Sequence, residues 1–338
     1  MRFFFFLLTV VLFFQNAFSD AFIAPKEPSY CIVYVHIGPS LPKYMKVAVD
    51  QALLFNNCPV YLILNQEALE NTAKDFLKNV TPITCESLTK SKAHLSYIQK
   101  EQRNGFWKST IERFFYLDDF LKQYHLKNVF HMENDVLLYA DLSKILSIFE
   151  KSYPSMIGAT FDSIQRCIAG FFYIAEGRPL DELCNFIAYK AHLDGSYHCN
   201  DMHLINDFKK IYNKIYIDSL PIVPPAYYVD RELKSLIGET TSTPTFYSNN
   251  FETFNSIFDA AAIGQYLGGI SPVHGSHKPG FINETCLFNP SYFSYVWEKD
   301  KEGRLIPFMI YKNVKYPIST LHIHSKNLMS FYSLRSKI

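Results

Sequence analysis

The stretch Asn128-Val-Phe-His-Met-Glu-Asn-Asp-Val-Leu-Leu-Tyr139 sets a short apolar, β-prone run against a pair of carboxylates. Side chains two apart on a strand, or on its extended end, point the same way, so Glu133 and Asp135 are expected to face one side together. Ionised carboxylates only accept hydrogen bonds, and two placed this way can be bridged by a hard divalent cation. In an open α/β sheet, ligands settle at the carboxyl ends of the strands. A strand that runs out into Glu-x-Asp is therefore a candidate metal–diphosphate site. The competing reading is a solvated acidic turn.

The flanking sequence supplies the sheet. Upstream, Lys108 to Tyr124 reads as a helix, with Ile111, Phe114, Phe115 and Leu121 at three- and four-residue steps, leaving Glu112, Asp119 and Lys122 for water. Earlier come a strand over Cys31–Ile37 ended by Gly38-Pro39, a helix over Lys43–Phe55 and a strand over Pro59–Leu64. A helix around Ala68–Leu77 and a short strand near Ile83–Cys85 follow. This alternation predicts an α/β fold, a doubly wound and mostly parallel sheet with helices on both faces. Downstream, strands are expected over Ser155–Phe161 and Cys167–Ile174, a helix over Pro179–His192 and another after Asn200-Asp201. The chain then becomes loop-rich around Pro221, Pro224 and Pro225 and from Thr240 to Asn250. A short helix over Asp259–Leu267 stops at Gly268-Gly269, and the last strand is Ile318–His324. With no internal repeat and no low-complexity linker, a single domain over residues 30–330 is expected. Its nucleotide and metal half covers about 30–175 and its acceptor half about 176–330.

Composition narrows the class. The chain has 338 residues, 48% hydrophobic and 19% charged, as a folded globular protein has. A net charge of +1 gives no basis for binding nucleic acid. The 30 Phe and 23 Tyr read first as an aromatic core and second as a sugar-stacking surface. Met1-Arg2, the apolar run Phe3–Phe14 and the small residues Ala17 and Ser19 before Asp20 form a secretory signal pattern over 1–19. The run is shorter than the ~20 apolar residues of a bilayer span, so cleavage is expected. An uncleaved anchor is the alternative and the one route to the membrane. Seven cysteines without a CxxC argue against a zinc knuckle or a dithiol redox site, and the odd count leaves at least one free or intermolecular. Two glycosylation sequons begin at Asn79 and Asn283. Dinucleotide, P-loop, zincin and α/β-hydrolase signatures are all absent from the sequence.

The run from Asn128 to Tyr139 resembles the DxD region of the GT-A glycosyltransferases, with Glu133 where the first Asp usually stands. The resemblance implies a Rossmann-related GT-A fold, a nucleotide-diphosphate sugar as donor, and Mn²⁺ or Mg²⁺ contacted directly by Asp135. It implies that Arg113, on the preceding helix, assists the phosphates. Arg166-Cys-Ile-Ala-Gly-Phe-Phe-Tyr173 resembles the strand lining the donor pocket, with Gly170 where a side chain would obstruct the ligand; the plain reading is a core strand with a glycine bulge. Asn200-Asp201-Met202 resembles the Asn-Asp-Gln opening of the next helix. That makes Asp201 a general base or a ligand of the transferred sugar, or else a helix cap. In Leu321-His-Ile-His-Ser-Lys326, the side chains of His322, His324 and Lys326 share a side if the segment is extended. GT-A enzymes commonly supply a C-terminal His to the metal, and either His322 or His324 suits Mn²⁺. Lys326 is placed to neutralise the leaving diphosphate. Asp259 heads a small-residue helix, as a cap or as the second acid/base candidate. His274, His277 and Lys278 sit in a Gly-rich loop that could close over the phosphates.

The expected reaction is transfer of a sugar to a hydroxyl of a glycan, glycoprotein or glycolipid. A secreted enzyme needs its nucleotide sugar on its own side of the membrane, which predicts the Golgi lumen, with secretion as the alternative. Two other readings stay open. One is a metal-dependent nucleotidyltransferase on the same fold, although Ile37-Gly38-Pro39-Ser40 lacks the basic, Gly-rich loop it needs. The other is a carbohydrate-binding protein that kept the fold and lost the chemistry, for which Glu133 is the argument.

Overall fold

The computed structural model describes residues 29–100, 105–193, 200–229, 247–271, 278–287 and 289–335. The signal-like segment, Cys199, His274, His277 and much of the 240–250 loop lie outside them.

The main sheet is built from β1 (Cys31–His36), β2 (Val60–Leu64), β3 (Thr81–Thr84), β4 (Val129–Met132), β6 (Ile157–Ser163), β7 (Arg166–Ile174) and β8 (Ile217–Ser219). Their spatial order is β3-β2-β1-β4-β7-β6-β8. All neighbours run parallel except β7, which is antiparallel to both β4 and β6. Ile32, Val33 and Tyr34 of β1 are sealed on both faces, as the continuous apolar run requires of a central parallel strand. The fold is thus α/β with a mostly parallel seven-stranded sheet.

A second sheet has the order β10-β11-β12-β5, from β5 (Val136–Leu138), β10 (Ser294–Lys299), β11 (Leu305–Tyr311) and β12 (Val314–His322), with β9 (Ile257–Phe258) beside β12. The chain therefore leaves the main sheet at the end of β4 and joins the second sheet three residues later. Glu133-Asn134-Asp135 is that crossing. Aromatic rings fill the space between the sheets. Phe149 stands 4.8 Å from both Tyr173 and Phe254, and Phe171 stacks on Phe258 at 5.3 Å. Each ring so buried contributes about 1.5–3 kcal/mol, so the aromatic excess is accounted for largely by the core.

Four features differ from the sequence reading. The helix expected over 68–77 is two short ones, Gln66–Glu70 and Lys74–Leu77, broken where Asn71 Nδ2 donates to Pro39 O at 3.1 Å. Strands β10 and β11 were not anticipated; they lie in a stretch to which the sequence reading assigned no element. Glu112 and Asp119 do not face water: both are buried against His94, whose Nδ1 lies 2.6 Å from Asp119 Oδ2. The helix after Asp259 begins only at Ala262. The six described cysteines are free. Among the described residues no helix is long and apolar enough to cross a membrane.

Candidate active site

The crossing from β4 to β5 is fixed by backbone bonds on both sides. Glu133 N donates to Gly170 O of β7 at 2.9 Å, and Ile323 N donates to Asp135 O at 2.8 Å. Antiparallel pairing of β5 with β12 sets His322 opposite Val136, next to Asp135. His322 Nε2 consequently lies 3.2 Å from Asp135 Oδ2 and 3.3 Å from Glu133 Oε2. Ligand-capable atoms of Glu133, Asp135 and His322 all fall within 4.8 Å of one another, a convergence of three groups suited to one cation. Lys326 donates to Asp135 Oδ2 from the other side, on a backbone turned into the left-handed region (φ 66°), which is uncommon for a residue other than glycine.

Arg113 reaches the same place from the helix Phe106–Tyr124. One guanidinium nitrogen donates to Glu133 Oε1 and the other to Asp201 Oδ2, the latter at 2.8 Å. Both terminal nitrogens are spent on carboxylates, so Arg113 ties Glu133 to Asp201, and only its buried Nε is left without a partner for the phosphate role the resemblance had implied. Asn200 takes the cap position of its helix, accepting from His203 N at 3.1 Å. Asp201, one residue on, is thereby released from capping and turned to Arg113.

Electrostatics follow from this packing. Burial would raise the carboxyl of Asp135, but His322 and Lys326 beside it prevail and hold it below the usual range. Glu133 is likewise buried yet held down by Arg113 and His322. The imidazole of His322, which burial alone would discharge, is pushed up by Asp135 and Glu133. Burial pushes Asp201 up to about 6 against the pull of Arg113.

The remaining residues singled out from the sequence fall in distinct places. Gly170 faces His322: a Cβ there would lie 2.6 Å from His322 Nδ1, so the glycine makes room for the imidazole and not for a ligand. His324 is turned away from the carboxylates, its Nδ1 accepting from Ser271 N at 3.0 Å. Asp259 is committed to backbone. Oδ1 accepts from Ile263 N at 2.9 Å, and Oδ2 from Gly264 N at 2.8 Å and His322 N at 3.0 Å. It starts the helix Ala262–Gly268 and fixes His322, which removes the geometric basis for an acid/base role. Lys278 is exposed.

Three neighbours of the site went unrecognised in the sequence. Asn134 Nδ2 donates to His36 Nδ1 at 3.1 Å, while His36 Nε2 donates to Ser40 O at 2.8 Å. Tyr44 places its ring centroid 5.7 Å from the Lys326 ammonium. His36 was findable, because it ends the first parallel strand, where ligands gather. Tyr44 carried no such signal.

No family model and no curated protein matches the chain. Solved structures do. The chain is similar to mouse xyloside xylosyltransferase 1 in its apo form, at 11% identity over 61% of this chain and 91% of that one, with a TM-score of 0.40. It is similar to the galactosyltransferase LgtC in complex with donor and acceptor sugar analogues, at 12% identity over 64% of this chain and 82% of that one, TM-score 0.40. A third is the glycosyltransferase GlyE of Streptococcus pneumoniae, at 14% identity over 56% of this chain and 44% of that one, TM-score 0.37. The likeness is distant; the chemistry rests on the site's own side chains.

Proposed function

We propose that the chain is a glycosyltransferase that moves a sugar from a nucleotide-diphosphate donor to a hydroxyl acceptor, with Mn²⁺ or Mg²⁺ held by Glu133, Asp135 and His322. The observation that carries this is the meeting of those three side chains where β4 runs out and the last strand returns. The donor set fits such an ion: two carboxylates and an imidazole suit Mn²⁺, and the carboxylates are kept ionised for it. A bound cation would neutralise the diphosphate and orient it.

The chain's own residues do the rest. Lys326, one-third exposed, reaches from Asp135 toward the leaving diphosphate and offsets its growing charge. Arg113 holds Glu133 and Asp201 in place as a positioning residue. Asp201 accepts a hydrogen bond from a sugar hydroxyl. His36, Asn134 and Tyr44 line the same end of the sheet. The donor belongs to the half at about 30–175 and the acceptor to the half at about 176–330, with His322 lent across. A lumenal, Golgi-type setting agrees with the signal-like start of the sequence.

The test is release of nucleotide from a panel of nucleotide sugars with Mn²⁺ or Mg²⁺, then acceptor profiling with the best donor. Asp135→Ala is expected to reduce turnover beyond the ~100-fold that losing a mere supporting partner of a metal ligand costs. Metal-independent sugar binding without turnover would instead favour a carbohydrate-binding protein.

A further inference from the structure

Two large aromatic side chains stand in water at the start of the helix that delivers Arg113. Phe106 is 67% exposed and Trp107 44%, their rings 5.2 Å apart and inclined at 73°. Rings of this size are normally buried, and an adjacent exposed pair asks for an occupant. Their place in the fold says which. The helix ends at Tyr124, just before β4 begins at Val129, so it runs back along the sheet and its first turn rises above the carboxyl ends of the strands. Phe106 and Arg113 are seven residues apart, on one face of the helix and about 10 Å apart along its axis. Phe106 thus stands at the same end of the sheet as the site, about 10 Å of helix rise beyond Arg113.

We propose that Phe106 and Trp107 form a stacking platform for a sugar ring of the acceptor, and that the acceptor is an oligosaccharide rather than a lone protein hydroxyl. The C–H face of a pyranose packs on an aromatic ring, while its hydroxyls stay in water at the ring edge. The separation from Arg113 assigns the platform to a unit behind the one that receives the transferred sugar. The choice of a sugar as occupant, and the word acceptor, rest on the transferase reading.

Trp107 provides its own probe, since the chain holds two Trp residues. In a Trp297→Phe background, mono-, di- and tetrasaccharides are titrated against Trp107 emission. Saturable changes with the longer saccharides and not with monosaccharides are expected. Phe106→Ala should weaken them about tenfold and Phe106→Tyr should retain them. Because this reads binding alone, a saccharide response in a chain that hydrolyses no nucleotide sugar keeps the platform and sinks the transferase. If no saccharide shifts the emission, or Phe106→Ala binds like its parent, the platform is overturned. It is equally overturned if Phe106→Ala alters only sedimentation, which would make this face a contact between copies of the chain.

Discussion

At the scale of single residues, Gly170 and His322 form one unit. A methyl group at 170 would meet the imidazole at 2.6 Å, so Gly170→Ala must swing His322 off the carboxylates. The variant is expected to lose about 10–100-fold in Mn²⁺ affinity, measured by calorimetry, while losing only about 1–3 kcal/mol of stability. Unchanged metal affinity would remove His322 from the ligand set. The shared direction of Glu133 and Asp135 was readable in advance, because alternation along an extended chain is a local rule. The choice between His322 and His324 was not. Strand β12 ends at residue 322, and the backbone then bends toward Lys326, so the alternation that would have made the two histidines equivalent stops between them. Whether Asp201 was a cap or a site residue stayed open for a related reason. Only the structure shows Asn200 taking the cap and freeing its neighbour.

At the scale of elements, Asp259 holds the start of one helix and the end of β12 with a single carboxylate. Asp259→Ala leaves three buried N–H groups without acceptors, so a loss of about 3 kcal/mol or more is expected in urea unfolding, together with weaker metal binding. The helix Phe106–Tyr124 carries a second test. Asp118 is fully buried, with Lys122 on one oxygen, and burial pushes its carboxyl up to about 7 from its ordinary value of 3.8. Below the lower value, folded and unfolded chains are both protonated. As pH rises toward 7 the unfolded chain releases the proton first, so stability falls across that window. Asp118→Asn should melt higher than wild type at pH 8 and alike at pH 4; a constant difference would refute the burial account. The helix itself was visible in its apolar spacing. The burial of Glu112 and Asp119 was not, because their partner His94 lies on another helix and periodicity sees only one element at a time. The hairpin of β10 and β11 escaped for the opposite reason: β10 is half exposed and charged, and its signal was the turn Asp300-Lys-Glu-Gly303 between two β-prone runs.

At the scale of the whole molecule, the cation would join two sheets, since Glu133 follows β4 of the first and His322 closes β12 of the second. Mn²⁺ at about 100 times its dissociation constant should therefore raise stability by about 2.7 kcal/mol, and a thermal melt should show no such gain in His322→Ala. An equal gain in both would place the ion elsewhere. The parallel main sheet was legible because strand and helix alternate along the chain; its division from a second sheet was not, since nothing local marks Glu133-Asn134-Asp135 as a crossing. That crossing ties the proposed ion site to the order of synthesis. Asp135 and His322 are 187 residues apart, and β5 waits unpaired on that side until β12 is made. A nascent chain can close its large sheet on the ribosome long before it can grip an ion. A message cut short anywhere ahead of codon 322 would lack His322 and β12, so a truncated chain could close its main sheet yet never complete the proposed ion site.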